Sequence, residues 1–118
     1  MKNYKKLKVW QKGMEIVMAT YNLANQLPAE EKFGLRSQIT RCAVSIPSNI
    51  AEGSAKTSKK DYKNYLEMSL GSTHELETQI LIIEMLRFGD PGLIESLLKG
   101  VDEEQKMLQS FIKAVERP

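Results

Sequence analysis

Lysines are the residues of this chain whose grouping most suggests a chemistry, and that chemistry is contact with a polyanion. Between Met1 and Met14 there are five of them, Lys2, Lys5, Lys6, Lys8 and Lys12, and no acid. A second group, Lys56, Lys59, Lys60 and Lys63, is offset only by Asp61. Acids gather elsewhere, at Glu75, Glu77 and Glu84 and again at Asp102, Glu103 and Glu104. Segregated blocks of this kind form either a basic patch for RNA or DNA or a solvated helix face, and charge alone leaves both readings open. The net charge of +2 is too small to decide between them. Few aromatics accompany these lysines apart from Tyr4 and Tyr62, so base stacking should be minor.

Catalysis finds little support. His74 is the sole histidine, so the paired Glu-x-x-His ligands of di-iron bundles are absent. His74 and Glu77, one helical turn apart, supply two ligands where a zinc site needs at least three. Cys42 falls on an apolar stripe and reads as an inert core residue. No Gly-rich phosphate loop occurs, and no base is identifiable beside a serine. The expectation is a protein that is not an enzyme, with no metal and no cofactor.

The most unusual stretch runs from Gln38 to Gly53. Pro47 sits inside a helical pattern, where it removes the bond to the Ala43 carbonyl and should kink the helix. Polar residues surround it at Gln38, Arg41, Ser45, Asn49 and Glu52. In an antiparallel helix pair with a turn near Lys56, Arg41 comes level with Gly71 and Ser72 and within a turn of Glu75, while Ser45 approaches Ser69. Small residues on both segments would let the backbones draw together. Gly71 in mid-helix costs up to about 1 kcal/mol relative to alanine, and close packing is a natural reason for it. The expectation is a structural motif joined by a buried ion pair from Arg41 to Glu75 or Glu77.

Four helices must position these residues. Leu7, Trp10, Met14, Val17, Tyr21 and Ala24 draw one apolar stripe along a first helix, ended at Leu27-Pro28. Leu35, Ile39, Cys42, Ile46 and Ile50 mark a second, with Gly53 placed as its C-terminal stop. Ser58 suits the N-cap of a third and Asp61 its first turn. Tyr62, Leu66, Ser69, Thr73, Leu76, Ile80 and Ile83 carry that helix to about Arg87. Gly89 then reads as C′, Asp90 as the next N-cap and Pro91 as N1. Ile94, Leu97, Val101, Leu108, Phe111 and Val115 trace the fourth to the chain's end. Short connections predict an antiparallel up-down-up-down four-helix bundle in the all-α class. The first helix also carries Val9, Ile16 and Leu23, and the third Leu70, Leu81 and Met85, outside these stripes. Such wide apolar arcs mean either a wide core in a small bundle or a subunit interface, and the interface is the favoured reading.

At 118 residues, with 42% apolar and 27% charged residues, the chain is one globular domain spanning 1–118. One cysteine permits no intrachain disulfide and gives no sign of an oxidising compartment. The basic start is not followed by a signal-peptide core, and the apolar run from Ile80 to Phe88 is too short to span a bilayer. A soluble cytoplasmic protein with no membrane partner is expected.

The string Gln38-x-x-Arg41-x-Ala43-x-Ser45-Ile46-Pro47-x-Asn49-Ile50-Ala51-Glu52-Gly53, with Gly71-Ser72-x-x-Glu75-Leu76-Glu77 after it, resembles the bacterial 23S rRNA intervening-sequence proteins. Leu7-x-Val9-Trp10-Gln11 and Leu27-Pro28-x-Glu30-x-x-Phe33-Gly34-Leu35 look like that family too, so the likeness covers nearly the whole chain. The family is in turn similar to the accessory variability determinant of diversity-generating retroelements, a pentameric bundle that partners a reverse transcriptase and RNA. The resemblance therefore implies a four-helix bundle, a homopentamer, nucleic-acid affinity and a place beside a reverse transcriptase or another ribonucleoprotein. It implies no catalytic residues.

Overall fold

The computed structural model describes residues 3–118, so Lys2 of the first lysine group lies outside the described residues. A 3₁₀ turn at Tyr4–Lys6 leads into α1 (Lys8–Ala24), and another at Ala29–Glu31 leads into α2 (Leu35–Ser54). α3 (Lys59–Met85) and α4 (Pro91–Glu116) complete the bundle, with no strand among the described residues. The body measures 48 × 23 × 20 Å. Each helix packs on its two neighbours, α1 on α2, α2 on α3, α3 on α4 and α4 back on α1, while the backbones of the diagonal pairs stay apart among the described residues. Four antiparallel helices at the corners of a square follow, as the short connections require. No helix among the described residues is long and apolar enough to cross a membrane.

The predicted starts are present. Ser58 Oγ accepts from the Asp61 N–H at 3.1 Å, and Asp90 Oδ2 accepts from the Leu93 N–H at 2.8 Å with Pro91 at the first helical position. The stops differ. α3 closes in a Schellman arrangement in which the Phe88 N–H reaches the Ile83 carbonyl at 3.1 Å and the Arg87 N–H reaches Glu84 at 3.0 Å. Arg87, not Gly89, is therefore the C′ residue and takes the left-handed conformation (φ 61°), two residues ahead of Gly89 (φ 76°). Gly53 is not a stop at all. It lies buried within α2, where an added Cβ would stand 2.7 Å from Tyr65 Cβ, so its role is to let α3 come close.

α1 turns a different stripe to the core from the one its large residues suggest. Val9, Gly13, Ile16, Thr20 and Leu23 are buried, whereas Met14 and Tyr21 are exposed and Trp10 and Val17 half-buried on the flank toward α2. Gly13 and Thr20 break the apolar pattern, yet they complete this seam. An added Cβ at Gly13 would lie 3.3 Å from Pro47 Cβ and 3.4 Å from Ile46 Cγ2, so α1 and α2 meet closely there. The Thr20 hydroxyl is satisfied by donating to the Ile16 carbonyl at 2.7 Å. The second and third helices bury the stripes expected of them, Ile39, Cys42, Ile46 and Ile50 against Leu66, Ser69, Thr73, Leu76, Ile80 and Ile83. α2 runs unbroken through Pro47, whose ring is buried.

Candidate nucleic-acid interface

The start of α1, the α2–α3 turn and the end of α4 meet at one end of the bundle. Contacts fix this: Trp10 and Tyr4 line one groove with Ala51, and the Lys59 ammonium donates to the Arg117 carbonyl at 2.6 Å. The segment carrying Lys5 and Lys6 is held by short-range bonds. Asn3 Oδ1 accepts from the Lys5 N–H at 3.2 Å, and the Gln11 side-chain amide donates to the Lys5 carbonyl at 3.0 Å. Tyr4 stands edge-on to Trp10 with ring centroids 5.5 Å apart. The two lysines therefore ride on a fixed turn, with their charges in water.

The eight predicted lysines divide by what they touch. Lys5, Lys6, Lys8 and Lys60 are exposed with no acid within ion-pair distance. Lys56 lies 5.1 Å from the centre of the Tyr65 ring and Lys59 bonds a neutral carbonyl, so neither is paired with an acid. Lys63 is taken up by Glu116 at 2.6 Å, a hydrogen bond and opposite charge that raise its pKa. Lys12 leans on Glu103 at 3.7 Å. Both neutralising acids come from α4, whose register the lysine spacing does not reveal. α4 also adds two exposed cations to this end, Lys113 and Arg117, which the sequence reading passed over. An up-down topology was the available signal, because it brings the last turn of the fourth helix beside the first turn of the third.

The Gln38–Gly53 motif behaves otherwise than predicted. The register holds to within a turn: Cys42 Sγ donates to the Ser72 carbonyl at 3.2 Å, Ser45 Oγ donates to Ser72 Oγ at 2.7 Å, and Ser69 Oγ donates to the Ile46 carbonyl at 2.9 Å. Asn49 binds back to the Ser45 carbonyl at 2.8 Å. Arg41, however, is exposed and forms no ion pair with Glu75 or Glu77. The phase of α2 turns Cys42 and Ser45 to α3 and Arg41 to solvent. Glu77 instead accepts from the Gln105 amide at 3.2 Å. Gly71 is also exposed, with nothing within 4 Å of an added Cβ, so it admits no neighbour from its own chain. Gln38 and Glu52 face solvent.

One polar residue that no pattern indicated lies at the centre. Glu104, fully buried on α4, has both carboxylate oxygens without a hydrogen-bond partner, and Oε2 would sit 3.2 Å from a Cβ at Gly13. Burial pushes its pKa up to about 8, with Lys12 opposing and Glu15 adding to the rise. A carboxyl in this setting is held protonated. Burial, aided by Glu75, likewise pushes the Cys42 thiol up to about 12. It is therefore no nucleophile at neutral pH. His74 is exposed, with Nδ1 3.0 Å from the Leu70 carbonyl. Among the described residues no three of His, Cys, Asp and Glu gather as a metal site.

The model of the 23S rRNA-intervening sequence protein family matches residues 5–110. A crystal structure of a protein of unknown function from the S23 ribosomal protein family of Bacteroides thetaiotaomicron is 30% identical to this chain. It superposes with a TM-score of 0.81 over 89% of this chain and 95% of that one. No curated protein matches.

Proposed function

This chain belongs to the 23S rRNA-intervening sequence protein family, and we propose that it works as a non-enzymatic, oligomeric RNA- or DNA-binding protein of the cytoplasm. The observation that carries the reading is the convergence of Lys5, Lys6, Lys8, Lys56, Lys59 and Lys60 on one end of the bundle, with Lys113 and Arg117 beside them. Asp61, Glu52 and Glu116 are exposed acids at this end, and Glu116 is taken up by Lys63, so the cations outnumber them and the end carries a net positive potential. Ammonium groups on long stems suit phosphate oxygens rather than base edges. The resulting affinity is sequence-tolerant.

Assembly multiplies such weak contacts. Met14, Met18, Tyr21, Val44, Met68, Ile82 and Met85 leave more apolar surface in water on α1, α2 and α3 than a monomer needs. Five copies is the number implied by the resemblance set out above, and a ring would repeat the basic end around its axis and bind by avidity. The test is binding of a structured ribosomal RNA fragment by wild type and by a Lys5/Lys6/Lys8/Lys60→Glu variant, with light scattering for the mass. Loss of binding in the variant at unchanged mass supports the reading. Equal binding by the two proteins transfers the function to a protein-interaction scaffold.

A further inference from the structure

Two of the exposed apolar surfaces point in different directions. The first is the groove between α1 and α2, lined by Trp10, Met14, Val17 and Val44. The second is the outer face of α3, where Met68, Ile82 and Met85 are 54%, 42% and 82% exposed. α1 and α3 stand at diagonal corners of the square with their outer faces turned apart, so no single neighbour covers both. α4 is polar at Glu95, Lys99, Asp102, Lys106 and Gln109, and its apolar exposure is confined to the groove that Met107, Phe111 and Ala114 line with Leu7 of the segment before α1. The apolar exposure is thus a property of particular faces rather than of the whole surface.

Charge and backbone single out what fits. Arg41, on the outer side of α2 at the edge of the groove, has no acid to pair with in its own chain. On the outer face of α3, Glu67 and Glu75 form no close ion pair among the described residues, Glu67 having only the more distant charge of Lys63, and between them Gly71 presents bare backbone. A mid-helix glycine that touches nothing lowers helix stability without a return inside the chain. Against another chain it gives one: a helix without a side chain at that point admits a close neighbour. We propose that the α1–α2 groove of one copy receives the outer face of α3 of the next. Arg41 then meets the acids flanking Gly71, in a head-to-tail contact between identical chains. Because the two surfaces differ, the contact is heterologous and closes into a ring when the rotation allows. This rests on the oligomeric half of the proposed function and not on the nucleic-acid half.

Two variants block one face each. Val44→Glu places a charge in the groove. Gly71→Lys fills the bare site while making favourable turn-spaced pairs with Glu67 and Glu75, so the single chain keeps its helix. Light scattering at micromolar concentration, with circular dichroism to check folding, reads the result. Wild type should assemble, and each variant alone should drop to the 13.4 kDa of one chain. An equimolar mixture should form a heterodimer of twice that mass, because one intact groove and one intact α3 face remain. Variants that assemble as wild type does, or a variant that dimerises alone, overturn the head-to-tail contact and leave the oligomer reading standing. A wild-type mass of one chain overturns both.

Discussion

Glu104 makes the stability of the bundle depend on pH in a direction opposite to that of an ordinary salt-bridged carboxylate. Its carboxyl titrates at about 8 in the folded chain against an ordinary 4.5. Below pH 4.5 the group is protonated in both states and contributes nothing to the pH slope. Between 4.5 and about 8 only the unfolded chain gives up the proton, so folding stability falls as pH rises, and above about 8 the slope from this group ends. At about 1.4 kcal/mol per pH unit, the loss accumulates to the order of 5 kcal/mol. Glu104→Gln keeps the shape and removes the titration, while burying an amide without partners takes back about 1–3 kcal/mol. The variant should therefore be about 2–4 kcal/mol more stable than wild type at pH 8. Urea melts at equal protein concentration from pH 5 to 8.5 check this. The wild-type midpoint should decline across the range and the variant's should stay nearly level. Parallel curves for the two proteins would refute the buried, protonated state of Glu104.

Three further outcomes follow from packing. Gly53→Ala should destabilise by about 1–3 kcal/mol despite alanine's better helix propensity, because its Cβ meets Tyr65 Cβ at 2.7 Å; a melt at or above the wild-type temperature contradicts this close approach. Arg41→Ala should melt within about 0.5 kcal/mol of wild type under conditions where the chain is monomeric, as expected of an exposed residue, and a multi-kcal/mol loss would restore the buried ion pair. Cys42 should react with a thiol reagent at pH 8 only as fast as the protein unfolds, and fast labelling of the folded protein would contradict its burial and raised pKa.

What the sequence discloses and what it hides divide along local and non-local lines. The caps at Ser58 and Asp90 are legible because an N-cap is a matter of three or four neighbouring residues. The meeting of the two lysine groups at one end is legible because chain direction alone dictates it. α1 is misread because a stripe of large apolar residues looks like a core stripe, while the true seam contains Gly13 and Thr20, whose value lies in their small size. Arg41 is misplaced for a different reason. An antiparallel register sets its height beside Ser72, but a rotation of about 100° per residue decides whether it or Cys42 faces α3. Glu104 could not be seen at all, since a carboxylate in a charged cluster reads as surface until the facing glycine is known. The same limit applies to Lys12 and Lys63, whose partners Glu103 and Glu116 lie far along the chain.

Salt dependence of nucleic-acid binding tests the central claim most directly. If the basic end holds phosphates through about six lysines, six condensed counterions are released on binding. A plot of log affinity against log salt for a structured ribosomal RNA fragment should then fall with a slope of about −4 to −5. Reversing Lys5, Lys6, Lys8 and Lys60 to glutamate should abolish both the affinity and most of the slope. A flat plot for wild type, or one that these substitutions leave unchanged, would contradict an electrostatic grip on phosphates.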